Sequence, residues 1–261
     1  MQGKQVRLSR ILDGGKAVII PMDHGITLGP VKGLANFEET VNKVVQGGAT
    51  AVLFHKGIIR NMKQPPGPNC GLIMHVSANT RFASRPDFKV TVASVKQAVR
   101  LGVDAVSTHT NVGGTEEEPL MLEMLGTIAD ACEEFQIPLL AMMYPRGPNV
   151  SNGFDPEVVA HVARVGAELG ADIIKTNYTG DPDSFQRVTK GCPVPIVIAG
   201  GPKAETEREA LEMVKGAMEG GAIGVSIGRN CFQHENPTTI TRAISTIVKE
   251  DASVEEALKL L

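Results

Sequence analysis

Tryptophan is absent from this 261-residue chain, and aromatic residues make up only 4% of it. Its core must therefore be aliphatic, built from Val, Ile, Leu, Ala and Met. An excess of one charge is lacking too: 26 Lys and Arg against 29 Asp and Glu leave −3 at pH 7. That balance gives no electrostatic footprint for nucleic acid or for an anionic membrane surface. No apolar run approaches the roughly 18 residues that a membrane span needs. The first residues, MQGKQVRLSR, carry charge with no apolar stretch behind them, so no secretory signal is expected. The four cysteines (Cys70, Cys132, Cys192 and Cys231) form neither a C-x-x-C pair nor a metal-finger spacing. Scattered thiols of this kind fit a cytoplasmic protein better than a disulfide framework.

What the chain does have is a rhythm. Short apolar runs rich in β-branched residues begin at Ala17, Ala51, Gly71, Ala105, Pro138, Ile173, Pro195 and Gly224, and each ends in small, polar or charged residues. Continuous apolar runs, rather than strict alternation, suit parallel strands covered on both faces. Helix-period segments lie between most of them. Phe37–Gln46 places Phe37, Val41, Val44 and Val45 on one stripe. Pro156–Leu169 follows Asp155 as a plausible N-cap with Pro156 at the first helical position, and Ala204–Met218 reads likewise. Glycines at Gly47, Gly102, Gly170 and Gly220, each just before a strand, predict tight helix-to-strand turns with positive φ. The connections after the second and sixth strands are the shortest, so truncated helices are expected there. Pro65–Pro68 reads as a turn-rich loop and not as a domain linker.

Eight strand–helix units in this length give roughly 33 residues each, the scale of a parallel (β/α)₈ TIM barrel. A doubly wound open sheet competes, but the first strand is not followed by the G-x-G-x-x-G turn of a dinucleotide fold. The reading is one barrel domain spanning residues 1–261.

In such a barrel the site lies at the C-terminal strand ends. Those ends carry Asp23 and His24, His55 and Lys56, His75, His109 with Asn111, Tyr144 and Arg146, Lys175 with Tyr178 and Asp181, Gly200-Gly201-Lys203, and Gly228-Arg229-Asn230. Lys175 directly follows Ile173-Ile174 and should be the most interior lysine. Burial and neighbouring cations would make its amine a nucleophile able to form a Schiff base with a ketone; a rim lysine paired with a carboxylate is the other possibility. Tyr144 could exchange a proton with a carbinol oxygen, or pack on a loop. Asp23 could act as a general acid/base, or cap the next turn. Glycines with a cation at Gly200-Gly201 and Gly228-Arg229 suit a phosphate at the last two strand ends. His55, His75 and His109 could suggest zinc, but the paired H-x-H of metal-dependent barrels is missing, so no metal is expected.

Several motifs are shared with one family. M-D-H-G-I-T-L-G-P-V-K-G-L (Met22–Leu34), A-M-M-Y-P-R-G (Ala141–Gly147), I-K-T-N-Y-T-G-D (Ile174–Asp181), A-G-G-P-K (Ala199–Lys203) and G-R-N-C-F-Q-H (Gly228–His234) stand in the same order in the archaeal-type class I aldolases. The chain resembles that family over essentially its whole length. It is most similar to the branch of 2-amino-3,7-dideoxy-D-threo-hept-6-ulosonate synthases, through G-P-V-K-G-L, A-M-M-Y-P-R-G and G-C-P-V-P (Gly191–Pro195). The fructose-bisphosphate branch typically has a second His before its G-P, where Leu28 stands here.

The resemblance implies that Lys175 is the Schiff-base lysine, Tyr144 the proton donor and Asp23 the acid/base carboxylate. It implies sugar-phosphate binding by His24, Gly25, Ile26, Thr27, Pro145, Arg146, Gly200, Gly201, Gly228 and Arg229. No cofactor and no metal are implied. The implied reaction is a metal-independent carbon-group transfer. A phosphorylated 6-deoxy-5-ketofructose forms an imine and is cleaved, and the bound enamine attacks L-aspartate semialdehyde. That step opens a route to 3-dehydroquinate and the aromatic amino acids. A homo-oligomer, decameric in related aldolases, is implied as well. Two alternatives stay open: a plain class I aldolase for fructose 1,6-bisphosphate or for dihydroxyacetone phosphate with aspartate semialdehyde, and a non-catalytic sugar-phosphate-binding barrel.

Overall fold

The structure is a computed structural model that describes residues 3–201 and 203–261. Pro202, in the A-G-G-P-K run, lies outside the described residues. Ten strands follow in chain order: β1 (Ala17–Pro21), β2 (Ala51–His55), β3 (Gly71–His75), β4 (Ser77–Ala78), β5 (Val90–Thr91), β6 (Ala105–Val112), β7 (Leu139–Pro145), β8 (Ile173–Thr176), β9 (Ile196–Ala199) and β10 (Gly224–Ser226). Eight of them close a parallel barrel in the order β1-β10-β9-β8-β7-β6-β3-β2, while β4 and β5 pair antiparallel beside it. Each of the eight apolar runs became one barrel strand, so the expected TIM barrel is the observed fold.

The lumen is filled by Ala17, Ile19, Ala51, Leu53, Ile73, Ala105, Leu140, Met142, Ile173 and Val197. A larger aliphatic shell, including Val18, Val52, Val106, Ile174 and Ile198, packs between strands and helices. Alternate residues of a strand face opposite sides. The parity that puts Ile19, Leu53, Ile73, Met142 and Ile173 inside therefore also aims Asp23, His55, His75, Tyr144 and Lys175 inward, at the C-terminal end.

The helix Gly3–Ile11, not expected from the sequence, closes the opposite end: Ile11 is fully buried in the lumen cluster, with Leu8 and Leu12 beside it. Lys4 bonds Asp172 at 3.1 Å and Arg10 bonds Asp104. Both carboxylates also accept backbone N–H groups of neighbouring strand starts, from Leu72 and Leu139.

The helices Phe37–Gln46 and Pro156–Glu168 match expectation, and Asp155 caps the latter by accepting from the N–H groups of Glu157 and Val158. The third begins later than expected, at Glu207, because Thr206 and not an earlier residue accepts the capping N–H, from Glu209. In the Gly-Gly turns the second glycine takes the positive φ: Gly48 at 96° and Gly221 at 93°, whereas Gly47 and Gly220 stay at −73° and −75°. Gly102 and Gly170 do take positive φ. The helix after β2 is short, Lys56–Asn61, as expected. The helix after β8 is not truncated and runs from Pro182 to Gly191, while a short one, Val95–Arg100, follows β5 because the β4–β5 ribbon uses up that connection.

Candidate active site

The inward strand ends surround a cavity of about 530 Å³. Of the residues singled out from the sequence, Asp23, His24, Ile26, Thr27, Tyr144, Pro145, Arg146, Lys175, Gly200, Gly201, Gly228 and Arg229 all line it. Gly25 does not; it is exposed in the short helix Gly25–Leu28 and borders the neighbouring depression. Lys56 is also diverted, its ammonium bonding the Val92 carbonyl. Asp181 caps the helix Pro182–Gly191, Tyr178 packs edge-on against Phe185, and Lys203 borders a separate depression with Asn230 and His234.

Lys175 stands on β8 in register with Met142 of β7 and Val197 of β9. It is only 6% exposed, and among the described residues no carboxylate oxygen lies within 4.0 Å of its ammonium. Burial lowers its pKa to about 8, with Asp23 opposing the shift and Arg229 adding to it. The paired-lysine possibility is thus removed by geometry. Tyr144 lies two residues beyond Met142, one pleat nearer the mouth than Lys175, with its ring 4.9 Å from that of His109. Burial and the charge of Asp23 raise its phenol pKa, so the hydroxyl keeps its proton. For Asp23, burial favours the neutral acid, but in the acid range where it titrates the protonated His75, His24 and His55, together with Lys175, outweigh it and hold the carboxyl below its ordinary range.

The three histidines sit side by side without forming a ligand set. His55 donates from Nδ1 to the His75 carbonyl at 3.2 Å, and His75 Nδ1 meets Ser107 Oγ at 2.7 Å. His75 Nε2 lies 4.0 Å from Asp23 Oδ2. His109 donates from Nε2 to Asn111 Oδ1 at 2.8 Å, because the Asn111 amide nitrogen is used on the Asp87 carbonyl. Burial drives His75 and His109 to about 3 and lowers His55, so all three are neutral imidazoles at neutral pH.

Across the mouth, β9 and β10 build a glycine corner. Gly201 has φ of +60°, and a Cβ on Gly228 would stand 2.5 Å from the Pro21 carbonyl oxygen, so both turns require glycine. Arg229 donates from its guanidinium to the Gly201 carbonyl at 2.5 Å, which holds it over the corner. Its Nε is buried with no hydrogen-bond partner among the described residues. Such a corner suits a phosphate.

Residues 17–234 match the model of the DeoC/LacD family aldolases. The chain belongs to that family. It is 43% identical, over 99% of its length and 96% of the relative's, to 2-amino-3,7-dideoxy-D-threo-hept-6-ulosonate synthase 1 of Archaeoglobus fulgidus. It is 37% identical, over 94% of its length and 90% of the relative's, to 2-amino-4,5-dihydroxy-6-oxo-7-(phosphonooxy)heptanoate synthase of Streptomyces griseus. A solved archaeal fructose-1,6-bisphosphate aldolase, with its catalytic Lys bound to a carbinolamine intermediate, superposes with a TM-score of 0.87 at 33% identity, covering 94% of this chain and 99% of that one.

The aldolase cavity also contains residues that sequence reasoning missed. Ser77 comes from β4 and Asn79 and Lys89 from the stretch between β4 and β5, and Asn177 and Ser226 extend the inward parity of β8 and β10. Asn177 and Ser226 were reachable by counting in twos from Ile173 and Gly224. Lys89 was not, since nothing in the local sequence shows that β4 and β5 fold back over the mouth.

Proposed function

We propose that this aldolase works through an imine on Lys175 and transfers a ketone fragment of a phosphorylated 6-deoxy-5-ketofructose to L-aspartate semialdehyde. The product would be the seven-carbon amino-ulosonate of the aromatic amino acid route. The observation that carries this reading is the buried amine of Lys175, unpaired, on the wall of the cavity and shifted to about 8. An amine in that state is about one-tenth unprotonated at pH 7, far more than an ordinary lysine, and attacks a ketone; the carbinolamine then loses water to give the imine. The imine accepts the electron pair of the breaking C–C bond, and the resulting enamine adds to the incoming aldehyde. Tyr144, holding its proton, serves the carbinol oxygen, and the Asp23 carboxylate takes the hydroxyl proton whose loss triggers cleavage. His24, Ile26, Thr27, Pro145 and Arg146 shape the walls, and Gly200, Gly201, Gly228 and Arg229 receive the phosphate.

Dihydroxyacetone phosphate as the donor is the second reading. The Streptomyces griseus relative favours it, since its named product keeps a phosphate beside the ketone.

Borohydride with each candidate donor tests both. A covalent adduct mapped to Lys175 is expected, with trapping slowing about tenfold per pH unit below pH 8, as the ammonium form takes over, and levelling off above it. An adduct on Lys56 or Lys203 would overturn the mechanism. The donor that yields turnover with aspartate semialdehyde decides between the two readings.

A further inference from the structure

Among the described residues, Lys89 is the one cavity lysine that the proposed chemistry leaves unused. It immediately precedes the short ribbon strand β5, as Asn79 immediately follows β4, and both line the cavity. The ribbon is pinned in place. The Ser77 hydroxyl accepts the His109 N–H at 2.9 Å, the buried Asn111 amide donates to the Asp87 carbonyl at 2.6 Å, and Asn79 donates to the carbonyls of Arg85 and Phe88. Lys89 itself donates to the Pro86 carbonyl at 2.6 Å, and among the described residues no carboxylate lies within 4.0 Å of it. An ammonium has three protons, so its remaining donors are free for a ligand. Burial disfavours its charge, which makes an unpaired cation here costly unless something anionic joins it.

Its place in the barrel gives it meaning. In the order β1-β10-β9-β8-β7-β6-β3-β2, the β3–β6 sector from which the ribbon springs lies diametrically opposite the β9–β10 glycine corner. Two cationic poles thus flank the cavity, with Lys175 between them. They match in net charge, one positive at each, but among the described residues only the Lys89 pole contains a carboxylate. Arg229 faces the glycine corner with no carboxylate within 4.0 Å among the described residues, whereas Arg146, at the Lys89 pole, is paired with Asp87 at 2.8 Å. Lys89, Arg146 and Asp87 together carry one net positive charge. The Asp87 carboxylate repels a phosphate dianion, so this pole suits a monoanion or a zwitterionic head whose ammonium finds Asp87 nearby.

We propose that Lys89 holds the α-carboxylate of the amino-acid aldehyde acceptor, and so selects an amino-acid head group for the end of the substrate opposite the glycine corner. This rests on the imine reading of Lys175. The test lets one wild-type or Lys89→Met enamine partition between L-aspartate semialdehyde and the neutral aldehyde propanal, so that effects on the donor cancel. The Lys89→Met substitution should shift the product ratio away from aspartate semialdehyde by about ten- to a hundredfold, the usual yield of a charge-assisted bond, and Lys89→Arg should restore most of it. An unchanged ratio would overturn the proposal. A larger loss for glyceraldehyde 3-phosphate than for aspartate semialdehyde would make the pole a phosphate site instead. Calorimetry with L-homoserine, an unreactive zwitterion, reads the pole without turnover: about tenfold weaker binding to Lys89→Met is expected, and equal binding would refute it. Failure of the imine reading shows separately, as absence of a borohydride adduct on wild-type Lys175.

Discussion

A side chain at the end of a barrel strand is judged by what surrounds it, and Lys175 and Tyr144 illustrate this in opposite directions. Burial lowers the lysine's pKa and raises the tyrosine's, so one desolvated cavity prepares a nucleophile and an acid at once. Tyr144→Phe keeps the ring against His109 and removes only the hydroxyl. Turnover should fall by about 10²–10⁴-fold, the range of general acid–base groups, while trapping on Lys175 survives at least in part. Tyr178→Phe should do much less, because that ring packs on Phe185 outside the cavity. Measuring kcat and borohydride incorporation on both variants checks the assignment; near-normal kcat for Tyr144→Phe would leave Asp23 as the proton-transfer group.

Strands and turns decide which residues converge. The inward parity was readable because several lumen residues are followed two positions later by a polar one: Ile73 by His75, Met142 by Tyr144, Ile173 by Lys175. The glycine corner was readable too, since turns that forbid a Cβ leave glycine behind. At this scale Arg229→Ala is the informative change. It removes the guanidinium held over Gly201 but neither turn, so KM for the phosphorylated substrate should rise about ten- to a hundredfold, the effect of losing a charge-assisted contact. KM for aspartate semialdehyde should move far less, and equal effects on both would make Arg229 a structural residue.

The whole molecule has two ends with separate duties. The helix Gly3–Ile11 plugs the N-terminal end, where Ile11 fills the lumen floor, while the polar ring and cavity occupy the other. Ile11→Ala should therefore cost about 2–5 kcal/mol in stability by opening a void in a fully buried layer. Turnover at saturating substrate should stay near wild type, because Lys175 and its neighbours lie several layers away. Urea denaturation paired with kcat checks this, and a large kcat loss without unfolding would mean that the two ends are coupled.

Sequence by itself determined the closed barrel, because eight continuous apolar runs separated by helix-period segments leave few other ways to cover both faces of every strand. It also determined the ends at which Asp23, Tyr144, Lys175 and Arg229 emerge, since pleat parity is a local property. Tertiary structure alone decided three things. Lys175 is unpaired, because pairing depends on carboxylates contributed by distant strands. Lys56 is spent on Val92 and Lys203 stands outside the cavity, though both also stand at strand ends. Lys89 reaches the mouth, because a ribbon of two short strands, too brief to show any period, folds back over β3 and β6. Local periodicity reports which way a chain segment faces, whereas pairing and reach are set by what closure brings together.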